Sequence, residues 1–233
     1  MEKARQSVRC AESGEESGVA AEWQTVRAAI ARNVKMGPFH ATSGIDLPYY
    51  LNATTNFLDK KCASTICVLL ERYLDHYIRP LVADQAEILV LGMECAGGIM
   101  VSQLACRDSS PLSEWCSFLY LRKEKKTSGT LQQLEGEQRF TDRHPDSPVM
   151  QAVWLDDVLS TGTSMRDGVA LLKQEYNIEV VAALYLVDRS PDRANLPEAK
   201  LSLADPSLAG LSLFAIFDLE DIEAAFPASS SSS

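Results

Sequence analysis

The sequence predicts an α/β fold, in which a mainly parallel sheet carries helices on both faces. Short apolar runs typical of strands alternate along the chain with stretches of helical periodicity. Each alternation requires a crossover between parallel strands, and the crossover helices then cover the sheet. Parallel sheets bind ligands beyond the carboxyl ends of their strands. We therefore expect functional residues after four predicted strand ends, at Leu91, Leu121, Leu155 and Val187.

The elements follow from these patterns in order. Helical periodicity and its breaks predict helices at 21–35, at 62–79 before Pro80, at 99–106 after the Gly97-Gly98 pair, at 164–176 and at 218–226. Apolar runs predict strands at 87–92, 115–121, 149–155, 178–187 and 211–217. The charged, glycine-punctuated stretch 122–147 has no clear period and is predicted to be a loop.

The length of 233 residues favours one domain with appendages, since domains usually hold ~100–200 residues. Residues 1–20 are polar and lack a hydrophobic period, so a disordered N-terminal arm is predicted there. The serine-rich end, 228–233, is predicted to be a disordered tail, which leaves a single domain at 21–227. The longest apolar run, at 180–187, is far shorter than the ~20 residues that a membrane-spanning helix needs.

The net charge of −10 excludes binding of nucleic acid or of an anionic membrane through the overall field of the protein. Any phosphate site must therefore be built locally, against that field. Six cysteines occur without a Cys-x-x-Cys pair, and the three histidines lie apart from cysteine clusters in the sequence. We therefore expect reduced thiols in a cytoplasmic protein, rather than a zinc site or a disulfide framework.

The strongest functional signal is VWLDDVLSTGTS at 153–164, an apolar strand that runs into a hydroxyl-rich loop and a helix. The loop offers short hydroxyls and backbone N–H groups, and Gly162 allows close approach of a ligand. With the positive end of the helix dipole, these groups make a monophosphate cradle. The adjacent carboxylates of Asp156 and Asp157 suit a ribose diol and, through water, a magnesium ion. The alternative is an Asp-Asp turn before a helix capped near Ser164, but the flanking strand and helix favour a ligand site.

This segment resembles the motif that binds 5-phosphoribosyl-1-diphosphate (PRPP) in type I phosphoribosyltransferases. The resemblance implies the type I phosphoribosyltransferase fold with a small hood, and Mg²⁺ as a cofactor held through PRPP near Asp156 and Asp157. In that family the acidic pair holds the ribose hydroxyls and the following loop holds the 5-phosphate. The resemblance therefore assigns PRPP binding to Asp156, Asp157, Val158, Leu159, Ser160, Thr161, Gly162, Thr163 and Ser164.

A second signal is the basic run RKEKK at 122–126, the densest cationic cluster of an acidic chain, at a predicted strand end. Most charge runs are solvated surface segments, and that interpretation stays open from the residues alone. Cations at a strand end, however, suit a diphosphate leaving group, because they lower the barrier as negative charge develops. A mobile loop would also allow entry, closure and release.

The longer segment RKEKKTSG, followed by LEG, resembles the signature of the orotate phosphoribosyltransferase family. By this resemblance Arg122, Lys123 and Lys126 contact the diphosphate of PRPP, and Lys126 is the principal catalytic residue, beside Asp157 of the acidic pair. Ser128 stands where the family has a histidine and joins the PRPP-binding set; it can hydrogen-bond a phosphate oxygen but carries no charge. In the family this loop reaches the neighbouring subunit's site, which implies a homodimer.

Further segments extend the resemblance over roughly residues 22–226, in order, and the last of them, LFAIFDLEDI, resembles the closing strand and helix of the family. FHATSGIDLPYYLN places Tyr49 and Tyr50 around the pyrimidine, although Ile45-Asp46 replaces residues that are often basic in the family. GMECAGGI, after a predicted strand, resembles the diphosphate-binding loop. Taken alone, the first segment could be core packing and the second a plain strand–helix turn.

Arg189, after the strand predicted at 178–187, matches the family arginine that pairs with the orotate carboxylate. A planar guanidinium suits bidentate recognition of a carboxylate, and it discriminates against uracil, which has none. Ser160 is the second residue expected to fix orotate. The alternative for Arg189 is a surface pair with the preceding aspartate.

The sequence thus predicts an orotate phosphoribosyltransferase activity, which converts orotate and PRPP into orotidine 5′-monophosphate and diphosphate. One alternative is a phosphoribosyltransferase for another base, which would leave Arg189 without a carboxylate to pair. The other is a catalytically silent, PRPP-binding regulatory protein, which Ser128 and Ile45-Asp46 motivate. The intact Asp156 and Lys126 favour the enzyme.

Overall fold

The computed structural model describes residues 17–40, 46–82, 87–129, 132–189, 208 and 210–226. Its strands are β1 (Val34–His40), β2 (Asp46–Leu51), β3 (Ile88–Met93), β4 (Cys116–Leu121), β5 (Leu134–Glu135), β6 (Met150–Leu159), β7 (Ile178–Asp188) and β8 (Ser212–Asp218). Its α-helices are α1 (Ser17–Arg32), α2 (Lys60–Tyr73), α3 (Ala96–Ala105), α4 (Gln138–Thr141), α5 (Thr163–Tyr176) and α6 (Leu219–Glu223). The predicted arm before Ser17 and the tail at 228–233 lie outside the described residues.

A six-stranded sheet in the order β5-β4-β3-β6-β7-β8 forms the centre of the fold. Every pairing in it is parallel except that of β5, which lies antiparallel on the edge of β4. The central strands β3 and β7 are buried almost throughout, as expected for strands covered on both faces. The predicted mainly parallel sheet is therefore confirmed.

Two apolar layers cover the two faces of this sheet. Alternate strand residues such as Val90 and Leu184 pack with α1, α2 and α3 in one layer. Their neighbours, among them Leu91 and Tyr185, pack with α5 in the other layer. This division follows from the period of two in strands, which sends successive side chains to opposite faces. Helices on both faces are thus confirmed.

A separate antiparallel hairpin, β1 with β2, forms a small second sheet beside the main one. The Tyr49 hydroxyl of β2 donates to Oε1 of Glu223 in α6 at 3.0 Å, and the Tyr49 ring packs edge-on against Phe226. The hairpin and α6 together make the hood. Neither strand of the hairpin was predicted, because their residues do not alternate cleanly in polarity.

Several predicted boundaries shift. The first helix, predicted at 21–35, spans Ser17–Arg32, so part of the predicted arm is helical. The second, predicted to end before Pro80, changes after Tyr73 to a π turn (Leu74–Ile78). Pro80 then occupies the second position of the 3₁₀ turn Arg79–Val82, an early turn position that needs no backbone N–H. The loop predicted at 122–147 contains β5 and α4.

The third helix begins at Ala96, three residues before the predicted start at Ile99, so the Gly97-Gly98 pair lies inside the helix rather than before it. The glycines serve close packing instead. A Cβ on Gly97 would lie 2.5 Å from the Leu155 carbonyl oxygen, and one on Gly98 would lie 2.0 Å from the Tyr120 ring. Both glycines therefore let α3 sit directly against the sheet.

Candidate active site

The acidic pair lies within the last residues of β6, which runs to Leu159 rather than ending at Leu155 as predicted. The carboxylate of Asp156 accepts the backbone N–H of Asp157 at 3.0 Å and a backbone N–H from Gly97. The carboxylate of Asp157 accepts the Thr54 hydroxyl at 2.9 Å. Both aspartates are half-buried, so the two carboxylates are fixed at the carboxyl edge of the sheet.

The environment of this pair disfavours two negative charges. Burial, followed by the charge of Asp157, raises the pKa of Asp156 to about 7, although backbone hydrogen bonds and Lys123 oppose the shift. Burial also raises the pKa of Asp157, and the hydrogen bond from Thr54 opposes that rise. A pair of carboxylates held in this way is suited to accept hydroxyl groups and to lie near a cation.

The loop after β6 carries several short hydroxyl groups directly before α5. Gly162 adopts a left-handed conformation (φ 79°) at the N-cap of α5, which begins at Thr163, one residue before the predicted start. The hydroxyls of Thr161 and Thr163 lie 3.0 Å apart, and the side chains of Thr163 and Ser164 are exposed. This places short hydroxyls and the first N–H groups of a helix together, as an anion site requires.

Two predicted ligand residues of the same segment belong to the core. Leu159 is 2% exposed, and Val158 packs against the buried layer on the other face of the sheet. Any contact of these two residues with a ligand is therefore made by the backbone.

The basic loop connects β4 to the edge strand β5. Nζ of Lys126 lies 2.5 Å from Oε1 of Glu135, and Nη1 of Arg122 lies 3.9 Å from the same oxygen. Nζ of Lys125 lies 3.1 Å from Oε2 of Glu175 in α5. The tip of the loop and Glu94 line a cavity of about 520 Å³. The loop residues in its wall include Arg122, Lys123, Lys125, Lys126 and Ser128.

The glycine-containing loop after β3 is tied to this basic loop. Oε2 of Glu94 accepts the Lys123 backbone N–H at 3.2 Å, and the Glu94 N–H donates to the Leu121 carbonyl at 2.8 Å. The peptide bond between Glu94 and Cys95 is cis. A Cβ on Gly92 would lie 2.1 Å from the Gly97 carbonyl oxygen, so the loop folds back onto its own strand.

Arg189 lies beside the loop at 160–164 and the hood. Asp188 is in register with Leu159, and the Arg189 N–H donates to the Leu159 carbonyl at 2.9 Å, which brings Arg189 next to Ser160. The guanidinium interacts electrostatically with Tyr49 and Tyr50.

The two tyrosines differ in exposure. Tyr49 is 7% exposed, and burial together with the hydrogen bond to Glu223 raises its pKa to about 12. Tyr50 is 46% exposed and its ring packs against Phe39. Tyr50 is therefore the accessible flat surface of the hood, whereas Tyr49, the next residue of β2, faces Phe226 and Glu223.

The structure brings most predicted site residues to one edge of the sheet. The acidic pair, the loop at 160–164 and Arg189 adjoin one another there, and Lys123 acts electrostatically on Asp156. Lys126, in contrast, pairs with Glu135. The position of Ile45 lies outside the described residues.

Sequence reasoning missed the acceptors and donors that hold this site. Glu94 and Glu135 tie down the basic loop, Thr54 holds Asp157, and Glu223 holds Tyr49. Glu94 and Glu135 lie within the segments GMECAGGI and LEG, but the contacts that they make depend on strand pairing, such as that of Glu135 with Tyr120.

The fold and this site together define a type I phosphoribosyltransferase. A PRPP-bound crystal structure of orotate phosphoribosyltransferase from Mycobacterium tuberculosis has the same fold, with a TM-score of 0.54 at 19% identity over 87% of this chain and 99% of that chain. The crystal structure of the Aeropyrum pernix orotate phosphoribosyltransferase gives a TM-score of 0.55 at 26% identity, over 84% of this chain and 96% of that chain.

Sequence similarity identifies the family within this class of phosphoribosyltransferases. The curated orotate phosphoribosyltransferase of Aeropyrum pernix is 31% identical over 163 residues, which are 70% of this chain and 76% of that relative. No family model matches the chain. On the strength of its curated relatives, the chain belongs to the orotate phosphoribosyltransferase family.

Proposed function

We propose that this chain transfers the 5-phosphoribosyl group of PRPP to orotate, giving orotidine 5′-monophosphate and diphosphate in pyrimidine and UMP biosynthesis. The observation that carries the proposal is the acidic pair at the end of β6, followed directly by a hydroxyl-rich loop at the N-terminus of α5. Relatives named orotate phosphoribosyltransferase support the choice of base.

The site offers separate places for the parts of PRPP. Asp156 and Asp157 accept hydrogen bonds from the two ribose hydroxyls, which are donors that suit carboxylate acceptors. The 5-phosphate lies in the loop at 160–164, where backbone N–H groups, hydroxyls and the helix dipole face it. Because both ends of the ribose are held, the anomeric carbon is oriented for attack.

Orotate binds between the hood and the end of β7. Arg189 pairs with the orotate carboxylate, and Ser160, which adjoins it, donates a further hydrogen bond. Burial lowers the pKa of Arg189, yet the guanidinium remains cationic at neutral pH, so an incoming carboxylate meets a partly desolvated charge. Tyr50 provides the flat surface for the ring.

The displacement breaks the bond between the anomeric carbon and the diphosphate oxygen and forms the bond to N1 of orotate. The departing electron pair stays on the diphosphate, where Arg122, Lys123 and Lys126 stabilise it and Ser128 donates a hydrogen bond. Lys126 must exchange Glu135 for the diphosphate to do so. Orotate N1 is an anion or close to it, so no strong general base is required.

Magnesium fits this arrangement as an ion carried by PRPP. Among the described residues no group of three or more His, Cys, Asp or Glu side chains forms a metal site, and Mg²⁺ is usually bound by one or two carboxylates together with substrate phosphates. Asp156 and Asp157 would hold it through water. When bound, Mg²⁺ neutralises charge on the diphosphate.

Oligomeric state and location are part of the proposal. The basic loop lies at the edge of the sheet, where it can reach a second subunit, so we propose a homodimer with shared loops. Cys62, Cys67, Cys95, Cys106 and Cys116 are free thiols, as is usual in the reducing cytoplasm, which is where we place the reaction. No helix in the described part of the chain is long and apolar enough to cross a membrane.

A catalytically silent PRPP-binding protein is the second candidate, and Ser128 favours it. Ser128 lines the cationic cavity at the position where the family has a histidine, so the loop has one potential charge fewer. In this reading the ligand binds but the leaving group is stabilised too weakly for turnover.

The loss of orotate ultraviolet absorbance in the presence of Mg²⁺ and PRPP tests the proposal. Uracil and hypoxanthine are the parallel substrates. We expect PRPP-dependent loss with orotate alone. PRPP binding measured by calorimetry, without turnover of any base, would favour the silent protein, and turnover of another base would show that Arg189 does not set the specificity.

A further inference from the structure

We infer that Thr54 is a positioning residue that holds Asp157 and links the hood to the PRPP site. The inference rests on the proposed function. Thr54 begins the 3₁₀ turn Thr54–Phe57, which follows β2 and therefore directly follows the hairpin that carries Tyr50. Its hydroxyl donates to Oδ2 of Asp157, 103 residues further along the chain, at 2.9 Å.

The turn that carries Thr54 is fixed from two other elements. The buried Asn56 side chain accepts from Asn33, at the end of α1, at 2.8 Å and donates to the Ala53 carbonyl at 3.1 Å. The Gln103 side chain of α3 donates to the Phe57 carbonyl. A hydroxyl on a turn held in this way has little freedom, so its hydrogen bond can impose a direction on the carboxylate.

The two carboxylates of the pair are thus held by different segments. Asp156 accepts a backbone N–H from Gly97, in the first turn of α3, whereas Asp157 accepts the Thr54 hydroxyl from the hood side and backbone N–H groups of Asp157 and Val158 in its own strand. Thr54 occupies Oδ2 of Asp157, and the other oxygen faces the ribose diol in our proposal. Thr54 is therefore the side chain that, together with the backbone N–H of Val158, sets the rotamer in which Asp157 meets PRPP.

The chain offers a matched pair of threonines for the test. Thr54→Val keeps the shape and removes the donor, and Thr54→Ser restores it. Thr55 stands next in the same turn with an exposed side chain, so Thr55→Val is the control for changing a threonine there. Thermal unfolding of all variants identifies any loss of folding.

Calorimetry of PRPP with Mg²⁺, without orotate, supplies a readout that is independent of turnover. We expect Thr54→Val to raise the Kd for PRPP about ten-fold or more, as for a lost hydrogen bond to a charged group. Thr54→Ser and Thr55→Val should stay within about two-fold of the wild type.

A double-mutant cycle with Asp157→Ala, which removes the acceptor, decides whether Thr54 acts through Asp157. If it does, Thr54→Val changes the Kd in the wild-type background and adds little in the Asp157→Ala background. Equal changes in both backgrounds, or a wild-type Kd for a folded Thr54→Val, would overturn the inference. If the wild-type chain itself binds no PRPP, the proposed function fails, and the inference fails with it.

Discussion

Asp156→Asn is expected to stabilise the fold at neutral pH while it abolishes PRPP binding. Burial and the neighbouring charge raise the pKa of Asp156 from 3.8 to about 7. A shift of about three units corresponds to about 4 kcal/mol of unfavourable free energy for the ionised group. The amide has one acceptor oxygen where the carboxylate has two, and the loss of one backbone hydrogen bond costs about 2 kcal/mol, which leaves a net gain near 2 kcal/mol in the free energy of unfolding.

The gain has a defined pH dependence. The folded state binds the proton more tightly than the unfolded chain, so the wild-type group loses stability as pH rises from about 4 to about 7 and the cost is constant above that. The difference between variant and wild type is therefore largest at about pH 8 and shrinks as pH falls below about 7.

Thermal unfolding at several pH values measures this difference. A net gain of about 2 kcal/mol raises Tm by about 4–8 °C in a chain of this size. Asp167→Asn, an exposed aspartate on α5, is the control and should change the stability by less than about 0.5 kcal/mol. A variant that is less stable than the wild type at about pH 8, or a gain independent of pH, would refute the argument from burial.

Three further changes test the rest of the site. Lys126→Ala should lower kcat by about 100-fold to 1000-fold with an unchanged unfolding curve, because it removes one cation from the leaving group. Lys125→Ala should lower kcat much less. Near-normal turnover of Lys126→Ala would contradict the loop mechanism. Arg189→Ala should raise the KM for orotate far more than the KM for PRPP in steady-state assays, and an equal rise in both would show that Arg189 does not contact the carboxylate. Gly92→Ala should lower the free energy of unfolding by about 2–3 kcal/mol in a urea titration, since its methyl group would collide with the Gly97 backbone. Wild-type stability of this variant would contradict the close approach of Gly92 to Gly97.

The sequence predicted the sheet and the acidic pair because both depend on local patterns. The apolar run 178–187 is short, rich in valine and isoleucine, and matches β7 (Ile178–Asp188) closely. The acidic pair could be predicted because the two aspartates and the hydroxyl-rich loop are adjacent in the sequence. The predicted boundaries of helices and strands were wrong where tertiary packing determines them. Gly97 and Gly98 lie inside α3 because Leu155 and Tyr120 leave no room for a side chain, and that fact belongs to the sheet rather than to the helix.

The contacts that complete the site could not be predicted from the sequence. Thr54 and Asp157 are 103 residues apart, and only the packing of the hood on the sheet brings them together. Lys126 and Glu135 are close in sequence, but their ion pair depends on β5. This strand has only two residues, which are too few to show an alternation of polarity.

The short strand β5 gives the basic loop a second task. Because Leu134 and Glu135 pair with the outer strand β4, the end of the loop covers backbone groups that would otherwise stand open to solvent. Bare strand edges of this kind recruit strands from other molecules and promote aggregation. We therefore expect motion during turnover to be confined to the tip of the basic loop. A loop that separated from β4 as far as Glu135 would expose the unpaired backbone groups of β4 at each product release. Variants that loosen β5 would thus shorten the working lifetime of the protein in concentrated solution even where each single turnover is normal.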